Sequence, residues 1–188
     1  MRRTALISGS LALSIALWTP APGNAQDRGD CRGQKGSESS IVIAGPDEPG
    51  ERMVVEGRVL ESDGSTPVAG ATVFVFHTDS QGYYSPGGMD EGDARLCGLM
   101  LTDEEGRYRF ESIKPAHYAT GDGPPAHVHY RVWGPEVRRQ SFSLHFEGDS
   151  HLGERGRDAS ANPTWATTRP GVVGEDGVLR IERDLRLR

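Results

Sequence analysis

The sequence predicts an all-β protein: an antiparallel β-sandwich of about seven or more short strands joined by turns and a few long loops. Three observations predict it. Short runs rich in Val, Ile, Phe, Tyr and Thr recur along the chain, several with polar residues at alternate positions. Gly, Pro and Asp separate them at the places where a chain reverses. No stretch after the N-terminus carries the 3.6-residue apolar period of a helix packed on a core.

The elements follow in order. Met53 to Leu60 is a strand-like run, and Asp63-Gly64 with Pro67 turns the chain after it. Ala71 to His77 is β-branched and aromatic, a clearer strand, and residues 82–95 form a Gly/Ser/Pro/Asp loop. Leu99 to Thr102 is a short strand. Glu105-Gly106 turns into Arg107 to Ile113, and residues 114–125 make a second loop. His127 to Trp133 alternates strongly, Ser141 to Phe146 is a further strand, and Asp176-Gly177 leads into a last one from Val178 to Leu187. The tail between, from Ser150 to Gly174 with Trp165, either wraps the sandwich or covers the mouth of a site.

The first 25 residues stand apart. Arg2 and Arg3 precede a mostly apolar run from Ala5 to Trp18, then Pro20, Pro22 and the small residues Gly23-Asn24-Ala25. That is the pattern of a secretory signal peptide, and the run is shorter than the ~20 apolar residues a membrane span needs. The paired arginines leave the Sec and twin-arginine routes both open. Export to the periplasm or the extracellular space is the expectation. Residues 26–50, rich in Gly, Ser and acids, read as a loosely ordered mature arm, and residues 51–188 as one domain.

Cleavage at that point removes two of the 21 basic side chains and none of the 27 acidic ones, taking the net charge from −6 to −8. Nucleic acid and anionic membrane surfaces reward clustered Lys and Arg, so neither is an expected partner. Two cysteines remain, Cys31 and Cys97. In an oxidising compartment they either bridge, stapling the arm to the body, or stay as separate thiols.

Chemistry concentrates at His127-Val128-His129. Residues two apart on a strand share a face, so both imidazoles can reach one ion. The Pro124-Pro125 pair stiffens the chain just before them. Tyr84 lies in the loop after His77 and Tyr118 in the loop before the histidines. A phenol has a pKa of about 10, and a hard trivalent cation is what makes it a ligand at neutral pH. Two phenolates and two neutral imidazoles offset most of the charge of Fe(III) and leave room for one hydroxide; zinc prefers Cys, His and carboxylate.

These residues sit in stretches that resemble the intradiol ring-cleaving dioxygenases, the family of catechol 1,2-dioxygenase and protocatechuate 3,4-dioxygenase. His77-Thr78-Asp79-Ser80-Gln81-Gly82-Tyr83-Tyr84-Ser85 is similar to the segment carrying the family's first tyrosine ligand. Thr102 to Tyr118 resembles "TDxxGxYxFxxIxPxxY", which ends on the second. Pro125-Ala126-His127-Val128-His129-Tyr130 resembles "PAHIHF", and Leu144-His145-Phe146-Glu147-Gly148-Asp149 resembles "LYFEGD". The motifs run in family order from about Val54 to Asp149.

The resemblance implies one Fe(III) per chain, held by Tyr84, Tyr118, His127 and His129, with a catechol-type diol and O2 as reactants. Tyr118 would be the tyrosine that substrate displaces and the internal base for its second proton. Family spacing from Gly82 selects Tyr84 over Tyr83 as the ligand, leaving Tyr83 and His145 as candidates to touch substrate. The family's arginine before "PAH" is here Pro124, and its glutamine on the following strand is Ser143. Losing that arginine removes on the order of 2–4 kcal/mol of transition-state stabilisation unless another group replaces it.

Two other readings share much of the pattern. Gly57-Arg58-Val59, Pro67 to Ala71 and Asp103 to Phe110 also resemble transthyretin-like and carboxypeptidase-regulatory sandwiches, which are metal-free binding modules. A homologue that keeps the metal without ring cleavage is the third. The family's cytoplasmic members dimerise through N-terminal helices, and nothing helical precedes Met53 after the signal peptide, so another assembly or a monomer is expected.

Overall fold

The computed structural model describes residues 31, 36–121, 123–134, 136–153 and 166–188. The expected signal peptide and Trp165 lie outside them. The described residues form two stacked sheets. The first runs β1 (Ser40–Val42), β5 (Arg107–Ile113), β2 (Arg52–Leu60), β10 (Leu179–Glu182), β9 (Val172–Val173), with β11 (Leu185–Arg186) also paired to β2. The second runs β4 (Leu96–Leu101), β3 (Thr72–His77), β6 (His127–Trp133), β7 (Gln140–Phe146), β8 (Ala166–Arg169).

Period-2 alternation decides what lies between the sheets. Met53, Val55 and Val59 of β2, with Tyr108 and Phe110 of β5, face Val73 and Val75 of β3, Val128, Tyr130 and Val132 of β6, and Phe142, Leu144 and Phe146 of β7. The opposite parity of the second sheet therefore points away from this core. It carries Phe74 and Phe76 on β3 and His127, His129 and Arg131 on β6, with Phe76 opposite His129 and Phe74 opposite Arg131. Loops cover part of that outer face, leaving Phe76 1% and His127 8% exposed.

Much of the "TDxxGxYxF" stretch builds the sandwich. The Thr102 hydroxyl donates to the Val68 carbonyl and accepts from the Ala71 amide. The Asp103 carboxylate accepts from the Glu105 and Arg107 amides, closing the turn that Gly106 completes at φ +71°. Tyr108 is buried, and its hydroxyl donates to the Arg183 carbonyl between β10 and β11. On the neighbouring strand a Cβ at Gly57 would collide with that same carbonyl.

Several expectations are corrected. The sheets are mixed: β1 runs parallel to β5, β10 and β11 to β2, and β8 to β7. Alternation is the same for either direction, so the pattern could not reveal it. Part of the arm is ordered: Ser40–Val42 is an edge strand. The tail contributes β8 and β9 to two different sheets, and the last strand is broken at Arg183. The strand expected from Leu99 starts at Leu96.

His77 ends β3 inside the protein, 0% exposed. A carbonyl can only accept, so Nδ1–H donates to the Thr78 carbonyl at 2.7 Å, and Nε2 accepts from the Ser112 hydroxyl at 2.8 Å. Burial pushes this imidazole down to about 4 from its ordinary 6.5. The folded state therefore refuses a proton that the unfolded chain takes up below pH 6.5. Its contribution is intact above that pH and is lost as pH falls towards 4, by about 3 kcal/mol. Urea midpoints at pH 7 and pH 4.5 test this, because His77→Gln should shrink the difference; parallel acid losses in both proteins would exclude His77 as a source.

Candidate metal centre

Three segments bring the site together. His127 and His129 project from β6 onto the outer face. Tyr84 comes from the loop after β3 and Tyr118 from the loop before β6. Gly82 locks the two loops: at φ +86° it packs so closely on the backbone of residues 117–119 that a Cβ would collide with the His117 carbonyl. The Ala119 amide donates to the Gly82 carbonyl at 3.3 Å, and the Ala116 amide to Asp79 at 3.0 Å. The Asp79 carboxylate accepts from the Gln81 and Tyr83 amides and pairs with Arg95, which also forms a two-pronged pair with Glu48.

The result is a cluster of four donor atoms. Tyr84 Oη lies 2.6 Å from Tyr118 Oη and 2.8 Å from His129 Nε2. Tyr118 Oη lies 3.4 Å from Nε2 of both histidines, which are 2.8 Å from each other. Donors bonded side by side to one ion at about 2 Å leave separations of this size. His127 Nδ1–H donates to the Pro125 carbonyl at 2.7 Å, so its Nε2 turns a lone pair into the cluster. Two phenols and at most one imidazole N–H then supply no more than three protons to five close contacts, a deficit that a cation in their midst removes.

Electrostatics agree. Burial, then the neighbouring His127, pushes His129 down to about 3, and burial lowers His127 as well. Burial raises both phenols. All four groups are thus neutral until a positive charge arrives to take up two phenolates. Among the described residues no three His, Cys, Asp or Glu side chains are placed, as they stand, to hold a metal between them.

Tyr84 rather than Tyr83 enters the cluster. Tyr83 serves the loop through its backbone, exchanging hydrogen bonds with Asp79. His145 stands opposite His127 on β7 and stacks on it, centroids 5.5 Å apart, so it faces the site side of the sheet. Ser143 sits opposite His129. Pro124 is exposed, close before His127. The sequence reading did not single out Phe76, stacked on His129 at 4.5 Å, nor Glu91 and Arg131 beside it. Strand parity alone marks Arg131, two residues past His129. Glu91 lies in a loop, where no period signals direction. The broad groove on the outer face of the first sheet, among Glu56, Arg58, Arg107 and Arg109, touches none of the four donors.

A protein-family profile described as "Dioxygenase" matches residues 31–176. This chain belongs to the intradiol ring-cleavage dioxygenase family. The protocatechuate 3,4-dioxygenase beta chain of Burkholderia cepacia is 39% identical over 114 residues, 55% of this chain and 48% of that one. Hydroxyquinol 1,2-dioxygenase of Rhizobium sp. (strain MTP-10005) is 38% identical over 104 residues, 46% of this chain and 34% of that one. The chain thus spans half or less of the length of these two dioxygenases. Among solved structures, catechol 1,2-dioxygenase from Pseudomonas arvilla C-1 superposes with a TM-score of 0.63 at 25% identity, over 80% of this chain and 56% of that one. The dioxygenase domain of a carbohydrate-binding fusion protein from Streptomyces sp. SirexAA-E shares the fold, with a TM-score of 0.61 at 17% identity, over 86% of this chain and 97% of that domain.

Proposed function

We propose that this protein is a non-haem Fe(III) dioxygenase that opens a catechol-type ring between its two hydroxylated carbons, with Tyr84, Tyr118, His127 and His129 as the iron ligands. The observation that carries the reading is the convergence of two phenols and two imidazoles from three segments within 3.4 Å of neighbouring donors. When bound, the ferric ion supplies a Lewis acid that draws charge from the bound diol and makes its ring reactive towards O2.

The side chains divide the remaining work. His127 and His129 hold their positions through the Pro125 carbonyl and the Phe76 ring. Tyr84, 1% exposed, is a permanent ligand. Tyr118 is half-buried and sits on a loop, so it is the phenolate free to leave and to accept the substrate's second proton at Oη. Both atoms of O2 end in the two carboxylates of a muconate-type diacid. His145, beside His127, and Tyr83 are candidates to line the substrate space. The Cys31–Cys97 bond favours an exported protein, working in an oxidising compartment.

The test is a visible spectrum of ferric-loaded protein, with catechol added under nitrogen and air admitted afterwards. A broad tyrosinate-to-iron band that shifts with catechol and is followed by a ring-opened diacid is the expected result. A shift without turnover would leave a metal-binding homologue, and no colour would rule out the iron reading.

A further inference from the structure

Glu91 opens a short 3-10 turn, Glu91–Asp93, capped by the Asp90 carboxylate, which accepts from the Gly92 amide at 2.7 Å. Two residues beyond it, the Arg95 amide donates to the Tyr84 carbonyl at 2.9 Å, so the turn is tied to the ligand loop. Its side chain reaches the ligand set. Oε1 lies 3.8 Å from His129 Nε2, the metal-facing nitrogen, and Oε2 lies 3.6 Å from Arg131 Nη2. Arg131 is itself held over the Phe76 ring at 4.8 Å, and Phe76 stacks on His129. His129, Phe76, Arg131 and Glu91 thus form a closed ring of contacts on one side of the cluster.

Resting on the iron reading, we propose that Glu91 is an internal carboxylate ligand for the ferric site, with Arg131 as its positioning residue, and that diol and small anions enter by displacing it. Two observations carry this. The carboxylate stands beside a ligand nitrogen yet beyond hydrogen-bond length of it and of Arg131, so a small rotation completes the approach without breaking a bond. Charge balance allows it: two phenolates leave a ferric ion with one positive charge in excess, which one carboxylate offsets in place of a hydroxide. Hard cations accept such oxygen donors readily. A half-exposed side chain, 44% accessible, can swing out when a chelating diol arrives.

The experiment is an azide titration of ferric-loaded protein, read from the visible spectrum, with wild type, Glu91→Ala, Arg131→Gln and Asp93→Asn compared. Asp93→Asn removes a charge from the same turn and keeps Glu91, so it measures the purely electrostatic gain in anion affinity. Glu91→Ala should bind azide at least about tenfold tighter than Asp93→Asn, Arg131→Gln should fall between them, and millimolar acetate should compete with azide in Glu91→Ala but not in wild type. Equal azide affinity in Glu91→Ala and Asp93→Asn, in protein that carries iron and colour, would overturn the role of Glu91 alone. Wild type that takes up no coloured iron would overturn the iron reading and this inference with it.

Discussion

A His127→Ala variant is expected to lose at least about 100-fold in ferric affinity and to purify nearly colourless. The imidazole is one of four donors, and even partners one bond further out cost 10–100-fold when removed. Its Nε2 lies 2.8 Å from His129 Nε2 and 3.4 Å from Tyr118 Oη, so its loss opens the cluster on the side that Pro125 holds rigid. Tyr118→Phe is expected to keep some iron through Tyr84 but to lose much of the tyrosinate band, and to stop turnover, since the base for the second substrate proton is gone. Tyr83→Phe should be mild by comparison. Iron content and visible absorbance of the purified variants decide the matter; a Tyr118→Phe or His127→Ala protein with full iron and full colour would end this ligand assignment. Because both phenols are raised by burial, iron uptake must expel their protons and should strengthen as pH rises.

Breaking the Cys31–Cys97 bond is expected to cost about 4 kcal/mol, the loop-closure entropy of a crosslink spanning this length of chain. The bond joins residues 66 apart at a Cα separation of 6.1 Å. Its consequences reach the site, because Cys31, Cys97, Phe76, Tyr84 and Ala94 form one buried cluster with Tyr118 packed against it. Cys97 lies opposite Phe76 on the neighbouring strand, and Phe76 stacks on His129. A Cys31→Ser/Cys97→Ser protein should therefore unfold at lower denaturant and release iron faster than wild type. Unchanged stability together with unchanged iron release would show that the bridge carries no weight.

Part of the candidate site was legible in the sequence because it depends on local rules. Two histidines two apart on a strand must share a face. The family resemblance marked Gly82 as the spacer before Tyr84, and in the structure only a glycine fits against the His117 carbonyl at that φ. What could not be read was whatever depends on how distant segments meet. His145 could have pointed either way until its register opposite His127 was known. Glu91 gave no signal at all, since a 3-10 turn in a loop has no period to follow. The edge strands β1, β8 and β9 are two to four residues long, too short for alternation to stand out from chance.

The sequence by itself determined the all-β class, the parity of the strands, and which side chains of β6 leave the core. Those follow from the chemistry of neighbours along the chain. Only the tertiary structure decided that four sheet pairings run parallel and that the arm contributes a strand. It also decided that the cysteines meet, and that Glu91 and Arg131 stand beside His129. Each of these is a contact between residues far apart in the chain. Its direction is set by loop closure and packing, for which alternation carries no information.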